Sequence, residues 1–168
     1  VLAGPVEGSP RANARFGLGL CHLARGQVDA AVDTLRGLLR DVRDRALQPR
    51  ILHTLGRALL ERGDAREAVV LFQELLLAFP SYSERRTVQE QLAATHFLLH
   101  EHALAAELYR QLYESDPLAD PSGTLRRRLA ESLHRQGQYG AALDLYTGLL
   151  EDLPSAAAAD SLRFSQGQ

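Results

Sequence analysis

The feature that most restricts what this chain can fold into is a repeat. Gly26-Gln27-Val28-Asp29-Ala30-Ala31-Val32 is followed by Gly63-Asp64-Ala65-Arg66-Glu67-Ala68-Val69, His100-Glu101-His102-Ala103-Leu104-Ala105-Ala106 and Gly137-Gln138-Tyr139-Gly140-Ala141-Ala142-Leu143. These copies begin at 26, 63, 100 and 137, a constant spacing of 37 residues. Other columns keep the register. One holds Leu18, Leu55, Leu92 and Leu129, and the next holds only small residues, Gly19, Gly56, Ala93 and Ala130. Ala31, Ala68, Ala105 and Ala142 form a second small column. Four residues later come Leu35, Phe72, Tyr109 and Tyr146, then Leu38, Leu75, Leu112 and Leu149. Pro80, Pro117 and Pro154 close three copies, and Arg43 stands in that place in the first. A fixed period of this size marks a supersecondary unit that buries its apolar face only by stacking on its neighbours.

Each column has a physical reading. Leu52, Leu55, Leu59 and Leu60 fall on one face of a helix. The Gly that follows ends that helix, because it takes φ > 0 without a Cβ clash. His100 occupies the Gly column in the third copy. If the turn is kept, His100 is left-handed at a cost of about 1 kcal/mol. Ala68, Phe72, Leu75, Leu76 and Phe79 then define a second amphipathic helix, which Pro80 stops. The small columns let the paired helices approach closely. No β-type alternation competes, so the repeated unit is an antiparallel helix pair.

Composition narrows the function classes. The 168 residues carry a net charge of −2, with a pI near 6.3, so no global field attracts nucleic acid or anionic lipid. Apolar runs such as Ala68–Phe72 and Leu75–Phe79 are far too short to span a membrane. One cysteine, Cys21, excludes an internal disulfide framework and a Cys-rich zinc site. It lies in an apolar helix face, where a buried, inert thiol is expected. All 19 positive charges are Arg, and there is no Met. The missing Met suggests a fragment or a processed product, and the compartment stays open between cytoplasm and bacterial periplasm.

The pattern Leu-Gly…Ala-x-x-x-Phe…Pro, best seen in Leu55-Gly56, Leu59, Ala68, Phe72 and Pro80, resembles the tetratricopeptide repeat. The resemblance covers Ala12 to Ala156. The family's Trp column holds Arg15, Leu52, Gln89 and Arg126, and the period is 37 rather than 34. Three added residues rotate a helix by about 300°, so a longer helix keeps nearly the same face buried, and a longer loop is the alternative. Extended repeats of this kind are similar to those of some bacterial envelope-assembly proteins. The resemblance implies an all-α fold, a right-handed α-solenoid of antiparallel helix pairs with eight or nine helices. Four repeats are expected at about 12–45, 49–82, 86–119 and 123–156, within residues 11–156. Residues 1–10 read as the end of a preceding repeat or a leader, and 157–168 as the start of a fifth repeat or a capping helix.

No catalytic constellation emerges. His96 and His100 have the i, i+4 spacing of a metal pair, but His96 shares a column with His22, Leu59 and Leu133, which face the partner helix. His102 lies past the turn and a third ligand is lacking. No metal, no other cofactor and no enzymatic activity are expected. The family's groove positions, carried onto the first helix of each copy, are Phe16, Leu20 and Leu23, then Arg50, His53, Arg57 and Leu60. Thr87, Glu90, Ala94 and Phe97 follow, then Arg127, Glu131, His134 and Arg135. This is an apolar wall in the first copy, with cations in the second and fourth. It fits an extended or helical peptide with apolar anchors and a few acidic residues. A Lys/Asn/Asn/Lys/Arg carboxylate clamp, found in one family subtype, is not present in either register. The expected role is a non-catalytic protein–protein interaction scaffold. The alternatives are a self-assembling element that stacks through its exposed end repeats, or the docking arm of a larger enzyme.

Overall fold

The computed structural model describes residues 10–116, 120 and 122–152. Eight helices and no strand occur among them. They are α1 (Pro10–Ala24), α2 (Val28–Asp41), α3 (Gln48–Arg62), α4 (Ala65–Ala78), α5 (Arg85–Leu98), α6 (His102–Ser115), α7 (Thr124–Arg135) and α8 (Tyr139–Asp152). The chain divides into two compact units, Val1–Leu99 and His100–Gln168. The first holds α1 to α5 and the second α6 to α8. The expectations for residues 1–9 and 157–168, and those for Pro117 and Pro154, lie outside the described residues.

In the first unit each helix packs on its sequence neighbours, α1 on α2, α2 on α3, α3 on α4 and α4 on α5. The buried stripe of α2 is Ala31, Val32, Leu35 and Leu38, and that of α4 includes Ala68, Leu71, Phe72 and Leu75. Both follow the i, i+3/i+4, i+7 rule of a helix with one covered face. The small column of the first helices is a packing requirement. A Cβ on Gly19 would lie 2.8 Å from Leu35 Cδ2, and one on Gly56 would lie 2.4 Å from Phe72 Cε1. Ala31 and Ala68 are wholly buried.

The turns between paired helices are built alike. Gly26, Gly63 and Gly137 have φ of 69°, 96° and 78°. After each one, the next amide donates to a carbonyl in the last turn of the preceding helix (Gln27 to His22, Asp64 to Leu59, Gln138 to Leu133). This is the Schellman closure of a helix C-terminus. His100 keeps the same backbone without being Gly, with φ 61°, as its column predicts. His100→Gly is therefore expected to raise stability by up to about 1 kcal/mol. An unchanged or lower urea midpoint would contradict this.

Residues 42–47 and 79–84 connect α2 to α3 and α4 to α5, longer than the turns inside the pairs. They are structured: Asp44 accepts from the amide of Ala46 through its carboxylate, and Tyr82 and Arg85 amides close turns onto Phe79 and Tyr82 carbonyls. In the second unit α7 packs on α6 and α8. The buried Asp120 carboxylate accepts from the Leu125 and Arg126 amides at 3.1 Å each. It caps the start of α7 and places negative charge at the positive end of the helix dipole.

Two residues of α1 depart from their columns. Leu18 is 50% exposed, whereas Leu55, Leu92 and Leu129 are 1%, 5% and 4% exposed. Cys21 is exposed too, which corrects the expectation of a buried thiol. Its column mates Ala58, Thr95 and Ser132 are buried. The cause is position. Both α3 and α7 pack on a preceding second helix (α2 and α6), and α1 has none among the described residues.

Candidate partner-binding face

The first helices of the first unit, α1, α3 and α5, are joined side by side by polar and aromatic contacts. The Arg50 guanidinium sits 4.9 Å above the ring of Phe16, linking α3 to α1. His53 Nε2 lies 2.9 Å from Gln91 Oε1, linking α3 to α5. Phe16 and His53 occupy the same column, and both are buried. The sequence places them in the groove as contact residues, whereas in the structure they are the fill between adjacent helices.

His53 is held from several sides. Its ring meets Phe72 edge-on at 6.3 Å and Tyr82 at 5.9 Å, and its Nδ1 is 3.3 Å from the Tyr82 hydroxyl. Glu84 lies 3.6 Å away and shares the Tyr82 hydroxyl. Burial holds the imidazole below its ordinary pKa, opposed by the Gln91 hydrogen bond and by Glu84, and aided by the charge of Arg57. Burial and the neighbouring Glu84 push the Tyr82 phenol up to about 12. The linkage has a definite sign. The unfolded chain takes up a proton near the usual pKa of about 6.5, whereas the folded chain resists it. The His53 contribution is therefore complete above that pH and is lost as pH falls below it toward the folded value. His53→Gln is expected to flatten the fall in urea midpoint between about pH 7.5 and pH 5.5. Parallel curves for the two proteins would contradict it.

One helical turn beyond Phe16 and His53, the column holding Leu20, Arg57 and Ala94 is exposed. The next column, Leu23, Leu60 and Phe97, is half-buried. Arg57 makes no hydrogen bond or ion pair among the described residues, and Leu20 is 42% exposed. Thr87 is exposed, and Glu90 is partly covered and paired with Arg86 at 3.3 Å. The face is therefore largely apolar, with two exposed cations, Arg50 packed on the Phe16 ring and the unpaired Arg57.

In the second unit the corresponding residues lie on α7. Arg127 and Arg128 both approach the Glu131 carboxylate, at 3.7 and 3.5 Å. The exposed His134 packs edge-on to Tyr139 at 5.3 Å. The cationic character expected of the fourth repeat is thus partly neutralised within its own helix. His96 is buried, while His100 and His102 face each other edge-on at 5.8 Å. Among the described residues no group of three or more His, Cys, Asp or Glu side chains is placed to hold a metal ion. No helix among them is long and apolar enough to cross a membrane.

Paired helices, small-residue contact columns and left-handed closures recurring every 37 residues define a helical-repeat protein. A profile of the tetratricopeptide repeat matches residues 6–46, 53–120 and 99–159, and the chain belongs to that family. Repeats of this family commonly serve as scaffolds for protein–protein interaction. No curated protein matches the chain in sequence. Among solved structures, residues 41 to the end of MamA from Desulfovibrio magneticus RS-1 superpose with a TM-score of 0.72 at 17% identity, over 86% of this chain and 76% of that one. A tetratricopeptide repeat protein from Parabacteroides merdae gives 0.75 at 17% identity, over 90% of this chain and 57% of that one. The TPR-like repeats of a putative kinesin light chain from Podospora anserina give 0.69 at 20% identity, over 86% and 78%. At these identities the likeness is one of fold.

Proposed function

We propose that this chain is a non-catalytic scaffold that binds an extended or helical peptide segment of a partner protein across α1, α3 and α5. The observation that carries the reading is the exposed Arg57, which has no ion-pair partner among the described residues and stands in register with Leu20 beside Leu23 and Leu60. A ligand with apolar anchors and an acidic residue matches that chemistry. Phe16 and His53 serve the face from beneath by fixing the spacing of its helices, and Arg50 packs on Phe16. The Arg127, Glu131 and His134 positions on α7 are a weaker surface, because Glu131 already engages the neighbouring guanidinium groups.

A peptide library varying in acidic and apolar content, read by fluorescence anisotropy, tests this reading. Peptides combining the two are expected to bind best. Arg57→Glu and Leu20→Glu are each expected to weaken them by about tenfold or more, equivalent to about 1.4 kcal/mol. Arg66→Glu, an exposed charge on the second helix α4, serves as the control that keeps binding. Affinities unmoved by both face variants would show that the ligand sits elsewhere.

A further inference from the structure

His53 stands in a row of polar groups that ties α3 to α5 and to the connection before it. Its Nε2 is 2.9 Å from Gln91 Oε1, an acceptor, so the neutral ring carries its proton there and offers a lone pair at Nδ1. The Tyr82 hydroxyl lies 3.3 Å from that nitrogen and 3.3 Å from Glu84 Oε1. One hydroxyl proton thus faces two acceptors. A second proton on the ring resolves the competition. Nδ1 then donates to the Tyr82 oxygen, Tyr82 donates to Glu84, and every group from Gln91 to Glu84 has a partner. The imidazolium also gains the Glu84 carboxylate, 3.6 Å away, as its counter-charge. The row is arranged to receive a proton, and burial of the ring is the main force against it.

The charges around the ring come from several elements. The connection brings Tyr82 and Glu84, and α4 brings the uncharged Phe72. From α5 come Gln91 and, beside it, Glu90 and Arg86, which pair with each other. On the α1 side Arg50 is seated on Phe16, and its charge acts on the Tyr82 phenol. On α3 itself Arg57 follows His53 by four residues, so the two are neighbours on one helix face. Burial opposes the second proton, Gln91 and Glu84 favour it, and the Arg57 charge opposes it. Arg57 differs from the others in being the exposed, unpaired cation of the candidate face. What binds Arg57 therefore alters what His53 feels.

We infer that the face formed by α1, α3 and α5 is proton-linked, an acidic ligand group on Arg57 and a proton on His53 each favouring the other. The ligand carboxylate offsets the charge that repels the proton, and by reciprocity the proton strengthens the ligand by the same factor. Acidic ligands are then held more tightly as the medium turns from neutral to mildly acidic. Their own carboxylates, with ordinary pKa values of about 4, stay charged over that range. The linkage takes its ligand from the peptide-binding reading and gives that site a regulator, the proton.

An NMR titration of the His53 ring in the full 168-residue chain tests it, with the signal assigned by its loss in His53→Gln. The titration midpoint is expected to rise in Arg57→Gln, a change at an exposed side chain, with no ligand present. It is expected to rise also when the wild-type chain is saturated with the tightest acidic–apolar peptide of the anisotropy library. A counterpart peptide with amides in place of its carboxylates is expected to leave it where it was. The affinity for the acidic peptide is expected to grow about twofold between about pH 7.5 and pH 5.5, the size of an exposed i, i+4 charge effect. That ratio is expected to flatten in His53→Gln. A midpoint unmoved in Arg57→Gln, or unmoved by a bound acidic peptide, overturns the inference and leaves peptide binding standing. A midpoint raised in Arg57→Gln with no peptide bound at any pH upholds the coupling and overturns the peptide-binding reading instead.

Discussion

Phe72→Ala is expected to lower stability by about 3–5 kcal/mol. The Phe72 ring is wholly buried against the backbone of α3, where Gly56 has no side chain to offer. The His53 ring leans on it edge-on. Removing the ring leaves a cavity bounded by a helix backbone on one side, and backbone relaxes less readily than a side chain. Urea denaturation followed by circular dichroism measures the loss, and a loss below about 1 kcal/mol would mean that the pair collapses onto the gap. A double-mutant cycle sharpens the assignment. Gly56→Ala is destabilising in the wild type, where its Cβ meets the ring. It is expected to be better tolerated in the Phe72→Ala background, where the ring is gone.

Ala68→Leu is expected to cost about 1–3 kcal/mol by overpacking the same helix pair. Ala68 is completely buried and stands one turn before Phe72 on the face of α4 that meets α3. The added isopropyl group has no space unless the helices separate, and separation loosens the Phe72 contact as well. A midpoint equal to that of wild type would contradict the role given to the small column. An exposed position on the same helix, such as Val70, 59% exposed, should accept a change to Leu with little effect.

Much of this fold was legible in the sequence because its determinants are local and recur. Gly19 and Gly56 could be recognised as contact positions from their register alone, and the left-handed turn at His100 was implied by the three Gly in its column. The face was less legible. A register assigns a column to a helix face, but it does not say whether a side chain on that face ends in solvent or in the seam between two first helices. Phe16 and His53 occupy the seam, and His53 is fixed there by Tyr82 and Gln91, 29 and 38 residues away. Tyr82 belongs to a connection and carried no signal of this role. The two Arg that share Glu131 are a different case, since their i, i+4 and i, i+3 spacing on one helix offers the pairing from sequence alone. The exposure of Leu18 and Cys21 shows the remaining limit of register. A column describes what a residue meets when both neighbours exist, and among the described residues α1 has only the one that follows it.

The neighbour-to-neighbour packing inside each unit bears on how the chain folds in time. In the first unit the main helix contacts run from α1 to α2, α2 to α3, α3 to α4 and α4 to α5, with lighter contacts such as α1 to α3 and, through His53 and Gln91, α3 to α5. In the second they run from α6 to α7 and α7 to α8. Native contacts within a unit therefore close short stretches of chain and cost little loop-closure entropy. Such low contact order places folding of a unit at about microseconds to milliseconds. Any helix pair formed first serves as the template on which the next one docks.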